Sequence, residues 1–209
     1  MREDSDDLEE LDLDEDEESK EDKPDEAERK RIRTRAILKD ILSNSLFLLV
    51  VLAITLLLVK YVGQRTVVVG DSMETTLSDG DSLVVDKISY RFREPKRFEI
   101  IIFPYEYKEA TYYIKRIIGL PGETVRIDTE GRIYINGEVL EENYGAEVIK
   151  EPGTAINEIT LGEDQYFVLG DNRNHSSDSR VPSVGLIEGK DIIGRAIVRI
   201  YPFNKMGGL

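Results

Sequence analysis

The sequence predicts a mainly β domain that follows a single N-terminal membrane-spanning helix. Two observations carry this prediction. Residues 41–62 form one apolar stretch, and from residue 66 onward short β-branched and aromatic runs alternate with turns rich in Gly, Pro and acidic residues. Such runs are typical of strands joined by tight turns. No long helical periodicity follows the apolar stretch, so we expect residues 63–209 to form the β-rich domain.

The first 28 residues of the 209-residue chain are strongly acidic. They contain 17 Asp or Glu and three basic residues, a charge of −14 that equals the formal charge of the whole chain. A segment this polar cannot bury a core, which predicts a disordered acidic tail over residues 1–28. Residues 29–209 carry no net charge, so we expect no nucleic-acid partner.

Residues 29–40 are a basic juxtamembrane segment, and the predicted transmembrane helix covers residues 41–62. No charge interrupts Ile41 to Val59, close to the roughly 20 residues that a helix needs to cross hydrocarbon. The excess of basic residues before the span predicts a cytoplasmic N-terminus and an extracytoplasmic β domain. A cleaved secretory signal is the alternative, but no small-residue cleavage site follows the span. We therefore expect a retained single-pass anchor, with the lipid bilayer as a partner.

The β-rich part contains eight candidate strands. They are the runs at residues 66–69, 82–89, 99–103, 111–119, 124–128, 132–135, 165–170 and 191–201. The clearest local signal is Asn136-Gly137, which lies between two alternating runs and predicts a type I′ hairpin. The chain has no cysteine, which excludes disulfides, a thiol nucleophile and thiolate metal sites. We expect neither a metal nor another cofactor.

Ser72, in "VVVGDSMETTL", is a candidate nucleophile. A hydroxyl in an ordinary strand-ending turn is the alternative, because Gly-Asp-Ser stretches are common in turns. A serine needs a base to accept its proton. The only histidine, His175, lies in a polar loop without an evident orienting partner, and we expect it to be a surface or structural residue.

Lys115 is the other candidate base, in "YYIKRIIGLPGETV". Burial can lower a lysine pKa by several units, so an apolar setting would make the amine neutral. Strand alternation places Tyr113, Lys115 and Ile117 on one face, with Arg116 on the other and available for an ion pair. A lysine whose ammonium reaches water is the alternative.

A third polar cluster is "YFVLGDNRNHSSDSR", residues 166–180. A serine there could orient the amine of Lys115, and Asp178 could pair with Arg116 or Arg180. The alternative is a loop whose short side chains satisfy only its own backbone.

Together these segments resemble the bacterial type I signal peptidases, which are membrane-anchored serine proteases. "GDSMETTL" is similar to the family's nucleophile motif, "KRIIGLPGETVRI" to its general-base motif and "YFVLGDNRNHSSDSR" to its third motif. "GRAIVRIYPF" is similar to the last core strand of the family. The resemblance covers the anchor and residues 60–203.

The resemblance implies a Ser/Lys dyad in a signal-peptidase-like β fold. Ser72 would attack the scissile carbonyl, Lys115 would act as the base, and an acyl-enzyme would form and be hydrolysed. Ser176 would hydrogen-bond the lysine, while Asp178 and Arg180 occupy the supporting salt-bridge positions and Arg116 is the neighbour of the base. Substrates would be signal-peptide-bearing preproteins with small residues, usually Ala, at the first and third positions before the cut, and the export machinery is a further candidate partner.

The resemblance also implies an oxyanion site and substrate pockets. The backbone N–H of Ser72 is the expected first oxyanion donor. By position, five residues would line the pockets for small side chains: Val68, Met73, Leu77, Tyr113 and Ile114.

Several positions depart from the family pattern. Thr75 replaces the usual proline, and Phe98-Glu99 replaces the usual Gly-Asp, which we expect to affect a turn. In some members the residue at the position of Gly70 is a serine whose hydroxyl supplies a second oxyanion donor. Glycine has no hydroxyl, so the sequence does not identify the second donor in this chain. The acidic tail has no counterpart in the family core.

Two other functions fit parts of this pattern. Self-cleaving repressors use related Ser/Lys chemistry, but they predict a DNA-binding helix pair where this chain has an acidic tail and an apolar span. A catalytically silent, membrane-tethered β module would bind peptides or assemble an envelope complex, and the presence of Ser72, Lys115 and Ser176 together argues against it.

Overall fold

The computed structural model describes residues 25–61, 63–105 and 111–209. The described chain falls into two compact units, one ending at Val51 and the other running from Leu52 to Leu209. Most of the predicted acidic tail lies outside the described residues. The mainly β fold with one N-terminal apolar helix confirms the fold class that the sequence predicts.

Helix α1 (Glu26–Tyr61) contains both the basic segment and the apolar stretch. It begins where Asp25 Oδ1 accepts the N–H of Glu26 at 2.7 Å, an N-terminal cap that satisfies an unpaired backbone donor. The helix therefore continues through the basic segment at residues 29–40, ahead of the predicted membrane span at residues 41–62. Within it, Arg29–Leu56 is long and apolar enough to cross a membrane.

In the described part of the chain, twelve antiparallel strands follow the helix. They are β1 (Gly63–Val67), β2 (Ser82–Asp86), β3 (Ile100–Pro104), β4 (Tyr112–Gly119), β5 (Thr124–Ile127), β6 (Ile133–Ile135), β7 (Glu138–Val139), β8 (Ile159–Thr160), β9 (Gln165–Leu169), β10 (Ile187–Glu188), β11 (Gly194–Tyr201) and β12 (Gly207–Gly208). Eight of them form a large sheet in the order β1-β2-β11-β3-β4-β9-β10, with β12 beside β11. The other four form a small sheet in the order β7-β6-β5-β8.

The hairpin prediction is confirmed, and the first predicted strand ends two residues earlier than expected. Asn136 and Gly137 both have positive φ, 51° and 81°, in the turn between β6 and β7, which confirms the type I′ hairpin. The run at residues 66–69 was expected to be a strand, but β1 ends at Val67. The chain leaves the sheet there because Val68 N–H donates to Asp81 O and Gly80 N–H to Val68 O, which closes a loop instead of extending the β1-β2 ladder.

The turn before β3 is built around the Phe98-Glu99 pair. Phe98 has a φ of 72°, in the left-handed region that disfavours side chains, and its ring packs 5.1 Å from that of Tyr144. Glu99 pairs with Arg93 at 2.7 Å and with Arg195 at 2.9 Å. The pair lies in a turn before β3, and these contacts hold Glu99 in place.

Three apolar clusters form the core of the β unit. One lies under the small sheet and includes Ile118 of β4, a second includes Met73 and Leu77 of the loop after β1, and the third includes Ile117 of β4 and Val168 of β9. Strand β4 therefore contributes side chains to separate clusters from its two faces. Because Ile117 and Ile118 are packed in this way, the charged residues that precede them on β4, Lys115 and Arg116, are held in fixed positions.

Half of β4 has one unpaired edge. Strand β3 pairs along Tyr112 to Arg116, whereas β9 pairs with β4 only from Arg116 to Gly119. On the β9 side, no strand of the described chain pairs with residues 112–115. An open edge of this kind presents unpaired backbone N–H and C=O groups.

Candidate active site

The loop after β1 is held in place by two apolar side chains that follow Ser72 and pack into the same core cluster. Met73 and Leu77 are buried to 1% and 0% exposure, and Leu77 N–H donates to Met73 O at 2.8 Å. Gly70 N–H donates to Asp79 Oδ1 at 2.8 Å. Because the loop is fixed at these points, the Ser72 hydroxyl has a defined direction, toward β4.

Lys115 meets Ser72 at the unpaired edge of β4. Its Nζ lies 2.8 Å from Ser72 Oγ and 3.0 Å from Ile114 O, and the lysine residue is only 3% exposed. The Tyr113 ring lies on the same strand face, with its centroid 4.9 Å from Nζ. The structure therefore brings together the two residues, 43 positions apart, that sequence analysis assigned as nucleophile and base.

Burial lowers the pKa of Lys115 from 10.5 to about 8, while the charges of Asp178 and Asp171 act in the opposite direction. Removing water penalises the ammonium form more than the neutral amine. At pH 8 about half of the lysine is then neutral and able to accept a proton. An exposed lysine would be almost entirely charged at that pH.

Both carboxylates that act on Lys115 are themselves paired with arginines. Arg116 binds Asp171 through two contacts, Nε to Oδ1 at 2.8 Å and Nη2 to Oδ2 at 2.6 Å. Arg180 binds Asp178 in the same two-point manner, both at 2.8 Å. Each arginine offsets part of the negative field at the amine, which is why burial dominates the shift.

Of the two partners considered for Asp178, the structure selects Arg180. The other alternative, an Arg116–Asp178 pair, is corrected: Arg116 lies on the opposite face of β4 from Lys115 and reaches Asp171 instead. Arg116 also donates to Phe98 O at 2.8 Å, and the Tyr144 ring centroid lies 3.8 Å from its Cζ. This arginine is thus fully enclosed.

Ser176 lies beside the site without bonding the lysine. Its Oγ is buried and has no hydrogen-bond partner among the described residues, and it packs against Gly170 near Ser72 O. The expected hydrogen bond from Ser176 to Lys115 is therefore not formed in this structure. Lys115 Nζ contacts Ser72 and Ile114 O instead.

A cleft of about 600 Å³ opens over the dyad. Its walls are residues 66–73, at the end of β1 and in the loop after it, and residues 111–115, at the start of β4 along its free edge, with Ile102, His175 and Ser177. Four residues predicted to bind substrate line this cleft: Val68, Met73, Tyr113 and Ile114. The position of Leu77 differs from the prediction, because its side chain packs entirely inside the core with Leu83 and does not reach the cleft.

His175 is exposed at the rim of this cleft. No hydrogen bond of its imidazole to Ser72 is present among the described residues, so it does not occupy the position of a base. The peptide bond before Thr75 is cis, and Thr75 is exposed. Among residues 25–61, 63–105 and 111–209, no cluster of His, Cys, Asp or Glu has the arrangement of a metal site.

Sequence analysis missed three residues that shape the site. Asp171 pairs with Arg116, Asn172 binds two carbonyls of the Ser72 loop, and Arg173 pairs with Glu142 at 2.7 Å. All three are consecutive in "GDNRN", immediately after the buried strand β9. A run of charged and amide side chains that follows a buried strand was the signal available.

Comparison with known proteins agrees with this geometry. The family described as "Signal peptidase, peptidase S26" matches residues 41–201. A probable signal peptidase I-2 of Synechocystis sp. is 41% identical over 70% of this chain and 67% of its own length. A signal peptidase I of Leptolyngbya laminosa is 43% identical over 71% of this chain and 74% of its own.

More distant relatives extend the match. A signal peptidase I of Bacillus licheniformis is 36% identical over 78% of this chain and 92% of its own. A crystal structure of a signal peptidase I from Enterococcus faecalis V583 matches with 37% identity and a TM-score of 0.41, over 49% of this chain and 97% of that one. The family match and the signal peptidase I relatives define a serine peptidase. The chain belongs to the type I signal peptidase family, S26.

Proposed function

We propose that this chain removes N-terminal signal peptides from exported preproteins, with Ser72 as nucleophile and Lys115 as general base. The observation that carries the proposal is the 2.8 Å distance between Lys115 Nζ and Ser72 Oγ at a buried amine. A general base must lie within hydrogen-bond reach of the proton that it accepts, and its pKa should be near the working pH. A lysine pKa of about 8 meets the second condition.

The reaction proceeds through an acyl-enzyme. Neutral Lys115 accepts the hydroxyl proton as Ser72 Oγ bonds to the scissile carbonyl carbon, and the resulting ammonium then gives that proton to the leaving amine. Lys115, neutral again, takes a proton from a water molecule, whose oxygen attacks the ester carbonyl carbon. The bond from that carbon to Ser72 Oγ then breaks, and Lys115 gives its proton to Oγ, which restores the serine hydroxyl and the neutral amine. The Ser72 N–H donates to the tetrahedral oxyanion in both steps.

Specificity for small residues of the Ala-x-Ala type follows from the walls of the cleft. Val68 and Met73 are 4% and 1% exposed, so they are held by the core and do not move aside for a large side chain. Ile114 and Tyr113 close the opposite wall at the free edge of β4. A methyl group fits such a pocket, whereas a larger group would require a packed core to shift.

Helix α1 is the single-pass anchor of this peptidase. In the proposed orientation the N-terminus is cytoplasmic and the β domain lies outside, because the basic residues cluster before the apolar stretch. A preprotein whose signal peptide lies in the same bilayer would meet the site at a raised effective concentration. Its partners are therefore preproteins and the bilayer, and the export machinery that delivers the substrate is a further candidate.

The decisive experiment uses the full chain in detergent or liposomes with a preprotein that carries an Ala-x-Ala site. Wild type should release the mature protein, while Ser72→Ala and Lys115→Met should reduce cleavage to background. Lys190→Met, which removes an exposed lysine outside the cleft, is the matched control and should cleave normally. Cleavage that persists in Ser72→Ala, or that is lost with His175→Ala but not with Lys115→Met, would overturn the dyad.

A further inference from the structure

Asn172 binds the nucleophile loop at two consecutive carbonyl groups. Its backbone N–H donates to Ser72 O at 3.1 Å. Its side-chain Nδ2 donates to Asp71 O at 3.2 Å. The two acceptors belong to the peptide groups on either side of Ser72, so the backbone of the nucleophile is held from both sides by one residue of the loop after β9.

The carbonyl that Nδ2 binds belongs to the same peptide unit as the Ser72 N–H. This unit is trans, so its N–H and C=O point in opposite directions in one plane. A hydrogen bond that fixes the C=O therefore fixes the direction of the N–H. No residue of the described chain accepts a hydrogen bond from the Ser72 N–H, and Ser72 lines the cleft.

Position 70 does not supply a second oxyanion donor beside the Ser72 N–H. Gly70 has no hydroxyl, and its own N–H is committed to Asp79 Oδ1 at 2.8 Å. A developing oxyanion would thus depend strongly on the Ser72 N–H and on its orientation. A donor placed on the C=O of a peptide also polarises its N–H, which strengthens the bond that the N–H gives.

We infer that the Asn172 side chain is a positioning residue for oxyanion stabilisation, acting through the Asp71–Ser72 peptide. It does not touch the substrate; it holds the plane of that peptide so that the Ser72 N–H points to the substrate carbonyl oxygen as negative charge develops there. The inference rests on the proposed function, because it requires Ser72 to be the nucleophile.

The test compares Asn172→Ala and Asn172→Asp with wild type in the full-length protein. The aspartate keeps the shape of the side chain but cannot donate to Asp71 O. Each variant should lower kcat about 10- to 100-fold with KM changed less than about two-fold, since removal of a whole oxyanion donor costs about 100- to 1,000-fold. In Asn172→Ala the midpoint of the pH–rate profile should stay in place, because Lys115 is not contacted by Asn172. The carboxylate added in Asn172→Asp should move the midpoint to higher pH, as nearby carboxylates favour the ammonium form of Lys115, so kcat is compared above the midpoint of each variant.

A pair of inhibitors separates positioning from loss of structure. A substrate-like peptide aldehyde forms a bond from Ser72 Oγ to its carbonyl carbon, the hydroxyl proton moves to Lys115, and the carbonyl oxygen becomes an oxyanion. The matching peptide alcohol binds the same cleft without forming this adduct. The Asn172 variants should weaken the aldehyde by the same factor as kcat and leave the alcohol unchanged.

The matched control is Asn174→Ala. The Asn174 side chain donates to Glu147 Oε2 at 2.8 Å and to Val148 O at 3.0 Å, and it accepts the N–H of Lys150 at 3.0 Å, but none of these bonds reaches the Ser72 loop. It should retain wild-type kcat.

The inference is overturned if Asn172→Ala and Asn172→Asp keep kcat within about two-fold, or if the aldehyde and the alcohol both bind more weakly by the same factor. Ser72→Ala, measured beside them, tests the proposed function separately: if it stays active, the dyad fails, and if it is dead while both Asn172 variants are active, only the role of Asn172 fails.

Discussion

Arg180 holds Asp178 through both carboxylate oxygens, at 2.8 Å each, and the pair is almost entirely shielded from solvent. Asp178 Oδ2 also accepts the N–H of Gly170 at 3.1 Å. The carboxylate is thereby fixed close enough to Lys115 to favour its ammonium form, against the effect of burial. The proton affinity of the base is therefore set partly by a residue that does not contact it.

The rate of cleavage should rise with pH through about 8 as Lys115 loses its proton. In Asp178→Asn the midpoint should move to lower pH, because the carboxylate that favours the ammonium is lost and the positive charge of Arg180 is no longer offset. The measurement is kcat/KM against pH for a short peptide substrate. Asp128→Asn, which breaks a 2.8 Å ion pair with Arg132 on the small sheet, is the control and should leave the midpoint unchanged. A midpoint that moves upward in Asp178→Asn would contradict the assignment of Lys115 as the titrating base.

Replacing the base should stabilise the fold while it abolishes activity. The pKa of Lys115 is about 8 in the folded protein against 10.5 for a free lysine, so at pH 7 the site carries a penalty of roughly 3 kcal/mol that Lys115→Met removes. The unfolded chain binds more protons between these two values, so wild-type stability rises with pH in that window and the advantage of the variant shrinks. Unfolding at pH 7 and pH 10 measures this, and Lys190→Met should gain nothing at either pH. Equal stability of Lys115→Met and wild type at pH 7 would show that the amine is not desolvated.

Gly170 is the point of closest approach between the loop after β9 and the nucleophile. A Cβ at this position would overlap Ser176 Oγ and the Ser72 carbonyl oxygen. Gly170→Ala should therefore displace Ser72 and lower kcat about 100-fold or more, as expected when reacting groups shift by about 1 Å. Gly207→Ala, where a Cβ meets no atom within 4 Å, is the control. Wild-type kcat in Gly170→Ala would mean that the two loops separate easily.

A serine at position 70 should not improve the enzyme. Gly70 has a φ of 93°, where an L side chain costs about 1–2 kcal/mol, although a Cβ there would meet no other atom within 4 Å. Gly70→Ser should lower the melting temperature and should not raise kcat, because relief of the strain would turn the backbone away from Asp79. Gly207→Ser should melt as wild type does. A gain in kcat without a loss of stability would show that the loop accepts a hydroxyl donor at this position.

The sequence predicted the fold class and the main strands because strands follow local patterns of apolar and β-branched residues. The roles of Ser72 and Lys115 were implied by the family resemblance and not by any one local pattern, and they remain a proposal. The runs around Lys115 and Val168 are apolar and β-branched, and the Asn136-Gly137 turn specifies its hairpin directly. Helix α1 is longer than the predicted membrane span because charged residues can continue a helix beyond its apolar stretch, and residues 26–40 do so here.

Which charged residues pair with each other could not be predicted from local patterns, because the partners lie far apart in the chain. Arg116 pairs with Asp171, 55 positions away, rather than with Asp178, and the choice depends on which face of β4 each side chain occupies once β9 is in place. The contact of Asn172 with Asp71 spans 101 positions and depends on the same packing. Leu77 lies four positions after the buried Met73. Only the packed core shows that the Leu77 side chain points into the protein interior and not into the cleft.

The ion pairs around the site have a consequence for its overall charge. Three arginines meet three carboxylates there, in the pairs Arg116–Asp171, Arg180–Asp178 and Arg173–Glu142. This interior is electroneutral only while Lys115 holds no extra proton. In the proposed cycle Lys115 becomes an ammonium as the substrate oxygen becomes negative, so the positive charge that appears on this buried amine is accompanied by a negative charge in the cleft beside it. In the tetrahedral intermediate the ammonium and the oxyanion together carry no net charge. Burial disfavours an ammonium alone, so it favours the intermediate, in which the ammonium has a negative partner, over a resting site with a charged Lys115.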